Sequence, residues 1–328
     1  MRSLLGLDPV SYAPHSLHDV DRAFPETNCY TDLWIELVHA YGLEPLAMLG
    51  YTTCVDFEGD QWTFFKPPPA DLERLYGMEI FEFMVYRSLP EHLEEQIVLQ
   101  RPVIVEVDSY YLPDTAGRSY QLQHEKSSIA VETIDIAAKQ LRYFHGPGYF
   151  ELTDDDFDNA LRVGREFSAD VLPPYIEFVR LDRIAACPAD ELRHAAHDML
   201  AAQLERRPTT NPVHRFGARL TDELPRLSGD APAYHLYAFA TVRQCGAAWE
   251  AAASFLTWLD DGANTPLAEA ASQFRNLATE AKTLLFKLAR AAATGRPLDT
   301  APAIESLAST WDEAIGLLTD AGVGSSAR

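Results

Sequence analysis

The spacing of hydrophobic and polar positions changes near residue 185. Before that point, runs rich in β-branched and aromatic residues alternate with Pro and Gly, a pattern typical of strands joined by turns. After it, Ala and Leu recur at intervals of three and four, which indicates amphipathic helices. We therefore expect an α+β domain over residues 1–185 and an all-α domain over residues 186–328.

The first domain is predicted to begin with one helix and to continue as a mostly antiparallel sheet. Apolar residues from Leu33 to Tyr41 recur at helical spacing, and Gly42 marks the helix end. Strands are expected at 46–57, 61–65, 103–107, 127–136, 140–144 and 150–152, and short helices at 71–76 and 91–100.

The second domain is predicted to consist of long helices. Pro residues stand near the expected starts, where a missing N–H costs nothing. The predicted helices span residues 188–206, 212–224, 232–260, 266–293 and 301–320.

Composition and charge narrow the classes of function. The chain has 328 residues, of which 47% are hydrophobic, as expected of a globular protein. The formal charge of −22 argues against general affinity for nucleic acid or anionic membrane. The sequence shows no signal peptide and no apolar stretch long enough to span a bilayer, so we expect a cytoplasmic protein.

The four cysteines lie far apart and form no CxxC pair, so neither a zinc site nor a disulfide framework is predicted. No phosphate-loop, dinucleotide or metalloprotease motif occurs either, and we expect no metal and no cofactor.

Cys29 is the first candidate for chemistry. Thr27 or Asn28 can cap the following helix, which places Cys29 in its first turn. The unpaired N–H groups and the dipole at that end favour a thiolate and can help to hold an oxyanion. The alternative is a small residue tucked under the start of a helix.

A cysteine nucleophile needs a base, and His124 precedes the strand expected at 127–136. Antiparallel neighbours bring the end of one strand beside the start of the next, so Asp108 and His145 should both reach the edge of the sheet that holds His124. Asp108 is the better candidate for orienting His124 and His145 the second, and Asp108 can instead be a turn former. Asp135 lies about ten residues along the strand, roughly 30 Å away, and is rejected.

A helix-borne cysteine followed by a strand-borne histidine is the order found in papain-like cysteine enzymes. Their chemistry is attack of a thiolate on a carbonyl, which gives an acyl-enzyme that a second nucleophile resolves. In that mechanism Asn28 and Gln61 are candidates for the oxyanion site, and Tyr110 either lines the acyl pocket or simply packs. His145 is a further candidate for substrate binding.

Several motifs resemble a known family. Residues 28–34 (NCYTDLW), residues 102–113 (PVIVEVDSYYLP) and the stretch from His124 to Asp135 resemble the papain-like butirosin-biosynthesis acyltransferase-like N-terminal fold. Residues 59–66 (GDQWTFFK) and 143–146 (YFHG) are more similar to an uncharacterised bacterial domain family found alongside aminoacyl carrier proteins. The resemblance covers about residues 20 to 155.

The resemblance implies a cysteine-dependent acyltransferase. The donor would be a phosphopantetheine thioester on an acyl or aminoacyl carrier protein, and the acceptor a small amine or hydroxyl compound. Cys29, His124 and Asp108 would be catalytic. Two alternatives stay open: a papain-like hydrolase, either thioesterase or amidase, and a catalytically silent binding scaffold.

The helical domain is expected to dock a partner or to form a homodimer. A basic cluster in this acidic chain is the predicted docking site for a carrier protein; its alternative is a solvated helix face with internal ion pairs. The cluster comprises Arg206, Arg207, Arg215 and Arg219.

Overall fold

The computed structural model describes residues 2–165, 171–263 and 265–320, and shows a mixed α+β chain. The described residues form two compact units. One comprises the described parts of Met1–Asp19, Asn28–Pro45 and Pro69–Cys187, and the other those of Val20–Thr27, Leu46–Pro68 and Pro188–Arg328. The first unit holds the sheet, and the second is built mainly of helices.

The sheet unit is built on antiparallel pairing throughout its described part. Its strands follow the spatial order β2-β7-β3-β4-β5-β6, and β1 pairs with the far end of β4. The strands are β1 (Arg2–Ser3), β2 (Glu79–Glu82), β3 (Val103–Asp108), β4 (Lys126–Asp135), β5 (Gln140–His145), β6 (Gly148–Thr153) and β7 (Ile176–Arg180).

Within the described residues, four α-helices flank this sheet. Alternate residues of β3, such as Val103 and Val105, join a buried apolar cluster with Leu93 and Phe157. Because successive side chains of a strand point to opposite faces, Ile104, Glu106 and Asp108 belong to the other face. The helices are α1 (Cys29–Ala40), α2 (Pro69–Tyr76), α3 (Leu89–Val98) and α4 (Asp154–Ala160).

Helix α1 covers the face opposite to that cluster. Tyr30 in its first turn donates a hydrogen bond to Glu177 of β7, whose neighbours Ile176 and Phe178 face the cluster. Further along α1, the buried Glu36 accepts a hydrogen bond from Tyr12, whose ring contacts Phe144 of β5. Helix α1 thus crosses the sheet on the face that also carries Asp108.

The predicted sheet is confirmed at β3, β4, β5 and β6, and three strands, β1, β2 and β7, were missed. β2 and β7 are short strands whose apolar alternation is interrupted by Glu79, Glu82 and Glu177. They are held in the sheet by pairing with each other and with β3, which a local pattern does not reveal.

The strand predicted at 46–57 is wrong. Pro45–Cys54 forms a 3₁₀ helix, in which the hydroxyls of Thr52 and Thr53 donate to carbonyls three residues back. Both faces of this segment are largely buried, so its apolar run carried no period that separates helix from strand. The strand predicted at 61–65 is reduced to one antiparallel bridge between Phe57 and Trp62.

The helical unit confirms five predicted helical regions. One of them, 232–260, is two helices separated at Thr241, whose backbone is non-helical (φ −121°, ψ −100°). The helices are α5 (Ala189–Leu204), α6 (Pro212–Leu227), α7 (Ala231–Ala240), α8 (Val242–Asp260), α9 (Pro266–Thr294) and α10 (Ala301–Asp320).

The segment 46–68 contributes to the core of the helical unit. The ring of Trp62 meets Trp249 of α8 edge-on at 5.3 Å and lies 6.0 Å from Phe216 of α6. The two units are therefore not divided by one boundary near residue 185. Residues 46–68 belong to the helical unit because their aromatic side chains pack on helices that follow much later in the sequence. No helix in the described ranges is long and apolar enough to cross a membrane.

Candidate functional site

Cys29 is the first residue of α1. The side-chain oxygen of Asn28 accepts hydrogen bonds from the backbone N–H groups of Tyr30 (3.2 Å) and Thr31 (3.0 Å). Asn28 is therefore the N-cap, one of the two caps that the sequence offered. Cys29 is half-buried and its thiol is free.

His124 lies just before β4 and is held by Asp108 at the end of β3. Its Nδ1 is 2.6 Å from Oδ2 of Asp108. Because a carboxylate only accepts hydrogen bonds, Nδ1 carries the proton, and in the neutral ring Nε2 keeps an available lone pair. The side chain of His124 is 67% exposed, so this nitrogen is open to an incoming molecule.

Two tyrosines surround His124. Tyr110 stacks on the imidazole with ring centroids 4.4 Å apart and planes 15° from parallel. Tyr111 meets it edge-on at 6.3 Å. Asp108 also accepts a hydrogen bond from the backbone N–H of Tyr110. One carboxylate therefore contacts the ring of His124 and the backbone of Tyr110.

Cys29 and the His124–Asp108 pair are placed on the same face of the sheet. Tyr30 bonds Glu177, which lies opposite Ile104 in the register of β3, and Asp108 is four residues further along. Four residues of strand span about 13 Å. In the described part of the chain His124 bonds Asp108, and no hydrogen bond joins it to the sulfur of Cys29.

His145 has other partners than His124. Its Nδ1 is 2.5 Å from Oδ2 of Asp114, and its Nε2 is 2.6 Å from Oγ of Ser127. Of the two residues that the sequence offered for orienting His124, Asp108 makes the contact. The rejected Asp135 is the last residue of β4, at the end away from His124.

Gln61 and the arginine cluster lie in the helical unit. Gln61 is exposed beside the bridge at Trp62 in the helical unit, whereas Cys29 belongs to the sheet unit. Most of the cluster has internal partners: Arg215 bonds Asp56 and the carbonyl of Phe57, Arg219 pairs with Glu223 at 2.7 Å, and Arg207 donates to the carbonyl of Leu204.

Sequence reasoning missed Glu177, Asp114 and Ser127. Glu177 is 5% exposed and accepts hydrogen bonds from Tyr30 (2.7 Å) and Tyr175 (2.5 Å). Burial, together with the nearby Glu177 carboxylate, raises the pKa of both phenols. The available signal was a charged residue inside an apolar run, as at Glu177 in IEFVR.

The remaining cysteines, Cys54, Cys187 and Cys245, lie in different surroundings. Burial raises the pKa of Cys54 to about 11 and raises that of the fully buried Cys245 further. Cys187 is exposed and precedes Pro188. No group of three His, Cys, Asp or Glu residues within the described ranges is arranged to hold a metal ion.

The geometry defines a class of protein: a two-unit α+β chain with a cysteine at a helix N-terminus and a histidine–aspartate pair on the same face of an antiparallel sheet. The chain belongs to the DUF1839 family. Residues 13–181 match the DUF1839 N-terminal domain, and residues 189–320 match the DUF1839 C-terminal domain.

No curated protein matches the chain. Neither family description mentions an acyltransferase or a carrier protein, so both of these stay predictions.

Proposed function

We propose that this protein is a cysteine-dependent acyltransferase of papain-like architecture that uses Cys29 as nucleophile and His124 as base. The observation that carries the proposal is the Asp108–His124 pair, which fixes the tautomer and leaves Nε2 exposed. Cys29 supports it from the capped end of α1, on the same face of the sheet. Nucleophile, base and orienting carboxylate are the parts that covalent acyl transfer requires.

The reaction has two steps, acylation of Cys29 and transfer of the acyl group to the acceptor. Nε2 of His124 takes the proton of the Cys29 thiol, and the thiolate attacks a thioester carbonyl. The bond from carbonyl carbon to the donor sulfur breaks, and His124 gives its proton to the donor thiol as it leaves. An amine or hydroxyl then attacks the acyl-cysteine, Nε2 of His124 accepts its proton, and the thiol of Cys29 is restored. The backbone N–H of Cys29, the first residue of α1, stabilises the oxyanion.

The donor is a phosphopantetheine thioester on an acyl or aminoacyl carrier protein, and the acceptor is a small molecule. A thioester suits this site because it is already activated and demands little of the thiol. The motifs over residues 20 to 155 support this donor. Arg215 and Arg219 are paired with Asp56 and Glu223, so these two members of the cluster offer less charge to an acidic carrier than the sequence suggests.

Intact-protein mass spectrometry after mixing with a loaded carrier protein tests the proposal. We expect an acyl adduct on the wild type, none on Cys29→Ala, and slower loading for His124→Ala. Cys187→Ala is the matched control, because it removes an exposed thiol and should leave loading unchanged. Absence of an adduct on Cys29 in the wild type supports the silent scaffold and contradicts the proposal.

Product analysis separates transfer from hydrolysis, because the same residues serve both. Release of free acid only, with every amine and hydroxyl acceptor supplied, would make the protein a hydrolase. Formation of an amide or ester with an acceptor supports the transferase.

Crosslinking tests whether Cys29 and residue 124 come together. In a Cys187→Ala background, His124→Cys should be joined to Cys29 by a short bifunctional thiol reagent, as shown by peptide mapping. A Lys139→Cys variant, in the turn that follows the opposite end of β4, is the control and should not crosslink. Failure of His124→Cys to crosslink would remove the spatial basis of the proposed mechanism.

A further inference from the structure

Residues 109–125 form a closed loop between β3 and β4. Its two ends meet where the backbone N–H and the hydroxyl of Ser109 both donate to the carbonyl of Glu125 (2.8 and 3.1 Å). The loop carries Tyr110 near its start and His124 near its end. Compact loops whose ends are close are packed by their own side chains and frequently carry function.

A buried hydrogen-bonded chain fastens this loop to the sheet. Asp114 of the loop accepts hydrogen bonds from Tyr143 and from Nδ1 of His145, each at 2.5 Å. The other nitrogen of His145 lies 2.6 Å from the hydroxyl of Ser127 on β4. His145 on β5 therefore joins the loop to the strand that begins two residues after His124.

Within this hydrogen-bonded chain of side chains, each donor faces an acceptor. A carboxylate only accepts, so Nδ1 of His145 donates to Asp114, and in the neutral ring Nε2 accepts the hydroxyl proton of Ser127. Fully satisfied polar networks in a protein interior hold their members in one arrangement. The side chains of His145 and Asp114 are only 9% and 5% exposed.

The order of contacts, serine to histidine to aspartate, is also that of a hydrolase triad. Ser127 is only 7% exposed and its hydroxyl is bonded to Nε2 of His145, so an acyl group has no open path to it. Because the side chains of Ser127, His145 and Asp114 are buried, we favour a positioning role for these hydrogen bonds over a role of Ser127 as a second nucleophile.

We infer that His145 is a positioning residue: through Asp114 it holds the loop so that Tyr110 stays stacked on His124 and the exposed imidazole keeps one orientation. The effect on catalysis rests on the proposed function, whereas the effect on the two rings does not.

NMR of the full chain labelled with ¹³C-histidine tests this inference. The ring of Tyr110 shifts the resonances of the imidazole stacked on it, so Tyr110→Leu defines the unstacked position and His124→Gln assigns the signal. Asparagine places an amide N–H near the position of Nδ1, and glutamine places its amide near that of Nε2. His145→Asn therefore keeps the bond to Asp114, and His145→Gln loses it.

We expect the His124 signal to move toward its Tyr110→Leu position in His145→Gln and to stay in place in His145→Asn. His92→Gln is the matched control, because His92 is another buried histidine of the sheet unit, and its acceptor for the N–H of Tyr86 is retained. An unmoved signal in a folded His145→Gln protein, or an equal movement in His92→Gln, would overturn the inference.

If His145→Gln fails to fold, Ser127→Ala decides, since it removes one hydroxyl from the same chain. Movement of the His124 signal in the same direction supports the inference, and an unchanged signal overturns it. Loading of Cys29 should fall in His145→Gln and persist in His145→Asn. If the wild type forms no acyl adduct, the proposed function fails, while the NMR result still decides the role of His145.

Discussion

At the scale of single residues, the His124–Asp108 pair is expected to contribute little to stability. Its members are 67% and 33% exposed, and exposed pairs contribute between 0 and about 1 kcal/mol to folding. Its main effect is to fix which nitrogen of His124 carries the proton. Substitutions here should therefore separate activity from stability.

We predict that His124→Ala lowers the rate of acyl transfer by about 10²- to 10⁴-fold, the usual contribution of general acid–base catalysis. Asp108→Asn should lower it in the same direction by a smaller factor. Thermal unfolding should show a loss of no more than about 1 kcal/mol for either variant. An unchanged transfer rate in His124→Ala would show that another group acts as base.

The thiols are predicted to differ in reactivity. Because the thiolate is the reactive form, a thiol with a pKa of about 11 is only about one part in ten thousand ionised at pH 7. Iodoacetamide labelling followed by peptide mapping should modify Cys29 faster than Cys54 or Cys245, and labelling of Cys54 should rise until about pH 11. Equal rates for Cys29 and Cys54 at pH 7 would argue against a nucleophilic role for Cys29.

At the scale of elements, the start of α1 depends on one side chain. Asn28 satisfies two N–H groups of the first turn and is 3% exposed. Because this turn carries Cys29, loss of the cap should affect both the stability of the helix and the labelling of the thiol.

We predict that Asn28→Ala lowers the free energy of unfolding by about 1 kcal/mol, the typical cost of losing an N-cap. Asn28→Asp is the control, since its carboxylate accepts the same two hydrogen bonds. Chemical denaturation measures the difference. Equal stability of the Ala and Asp variants would mean that Asn28 contributes through packing instead.

Two helical glycines offer a matched pair for testing the packing of the helical unit. A Cβ at Gly217 in α6 would lie 2.4 Å from a methyl group of Ile304 in α10, whereas a Cβ at Gly316 in α10 meets no heavy atom within 4 Å. The same substitution therefore probes crowding at one position and helix propensity alone at the other.

We predict that Gly217→Ala lowers the free energy of unfolding by about 1–3 kcal/mol through overpacking. Gly316→Ala should raise it by up to about 1 kcal/mol, because alanine favours the helix. Denaturant titrations monitored by circular dichroism give both values. A stabilised Gly217→Ala variant would show that α6 and α10 do not pack as closely as described.

At the scale of the whole molecule, many titratable hydroxyls and thiols are buried. Burial raises the pKa of Tyr234 to about 12 and that of Cys54 to about 11, from ordinary values of 10.0 and 9.0. Burial also raises the pKa of Tyr12, Tyr30, Tyr41, Tyr149 and Tyr237 above the ordinary value.

We predict that the protein loses stability between about pH 9 and pH 12. In that interval these groups keep their protons in the folded state and lose them in the unfolded state, so the free energy of unfolding falls as pH rises. Denaturation measured at several pH values should show the decline, and Tyr234→Phe should make it shallower above pH 10. A flat profile over this range would contradict the burial of these side chains.

The order of elements could be predicted from sequence because their signals are local. Helical spacing from Leu33 to Tyr41, alternation in β4 and β5, and Pro residues at helix starts all act within a few neighbouring residues. The acidic run that begins at Asp154 also starts a helix, α4. Cys29, His124 and Asp108 could be named as candidates from signals of the same kind, because a helix cap and the ends of strands are local features.

Contacts between distant segments needed the tertiary structure. Residues 46–68 form a 3₁₀ helix and a bridge because Trp62 packs with Phe216 and Trp249, which follow more than 150 residues later. The partners of His145 and Glu177 were also hidden, since a buried polar side chain is stabilised by whichever group folding brings within hydrogen-bonding distance. Periodicity and capping set the elements in advance, whereas burial and long-range pairing decided which polar groups meet.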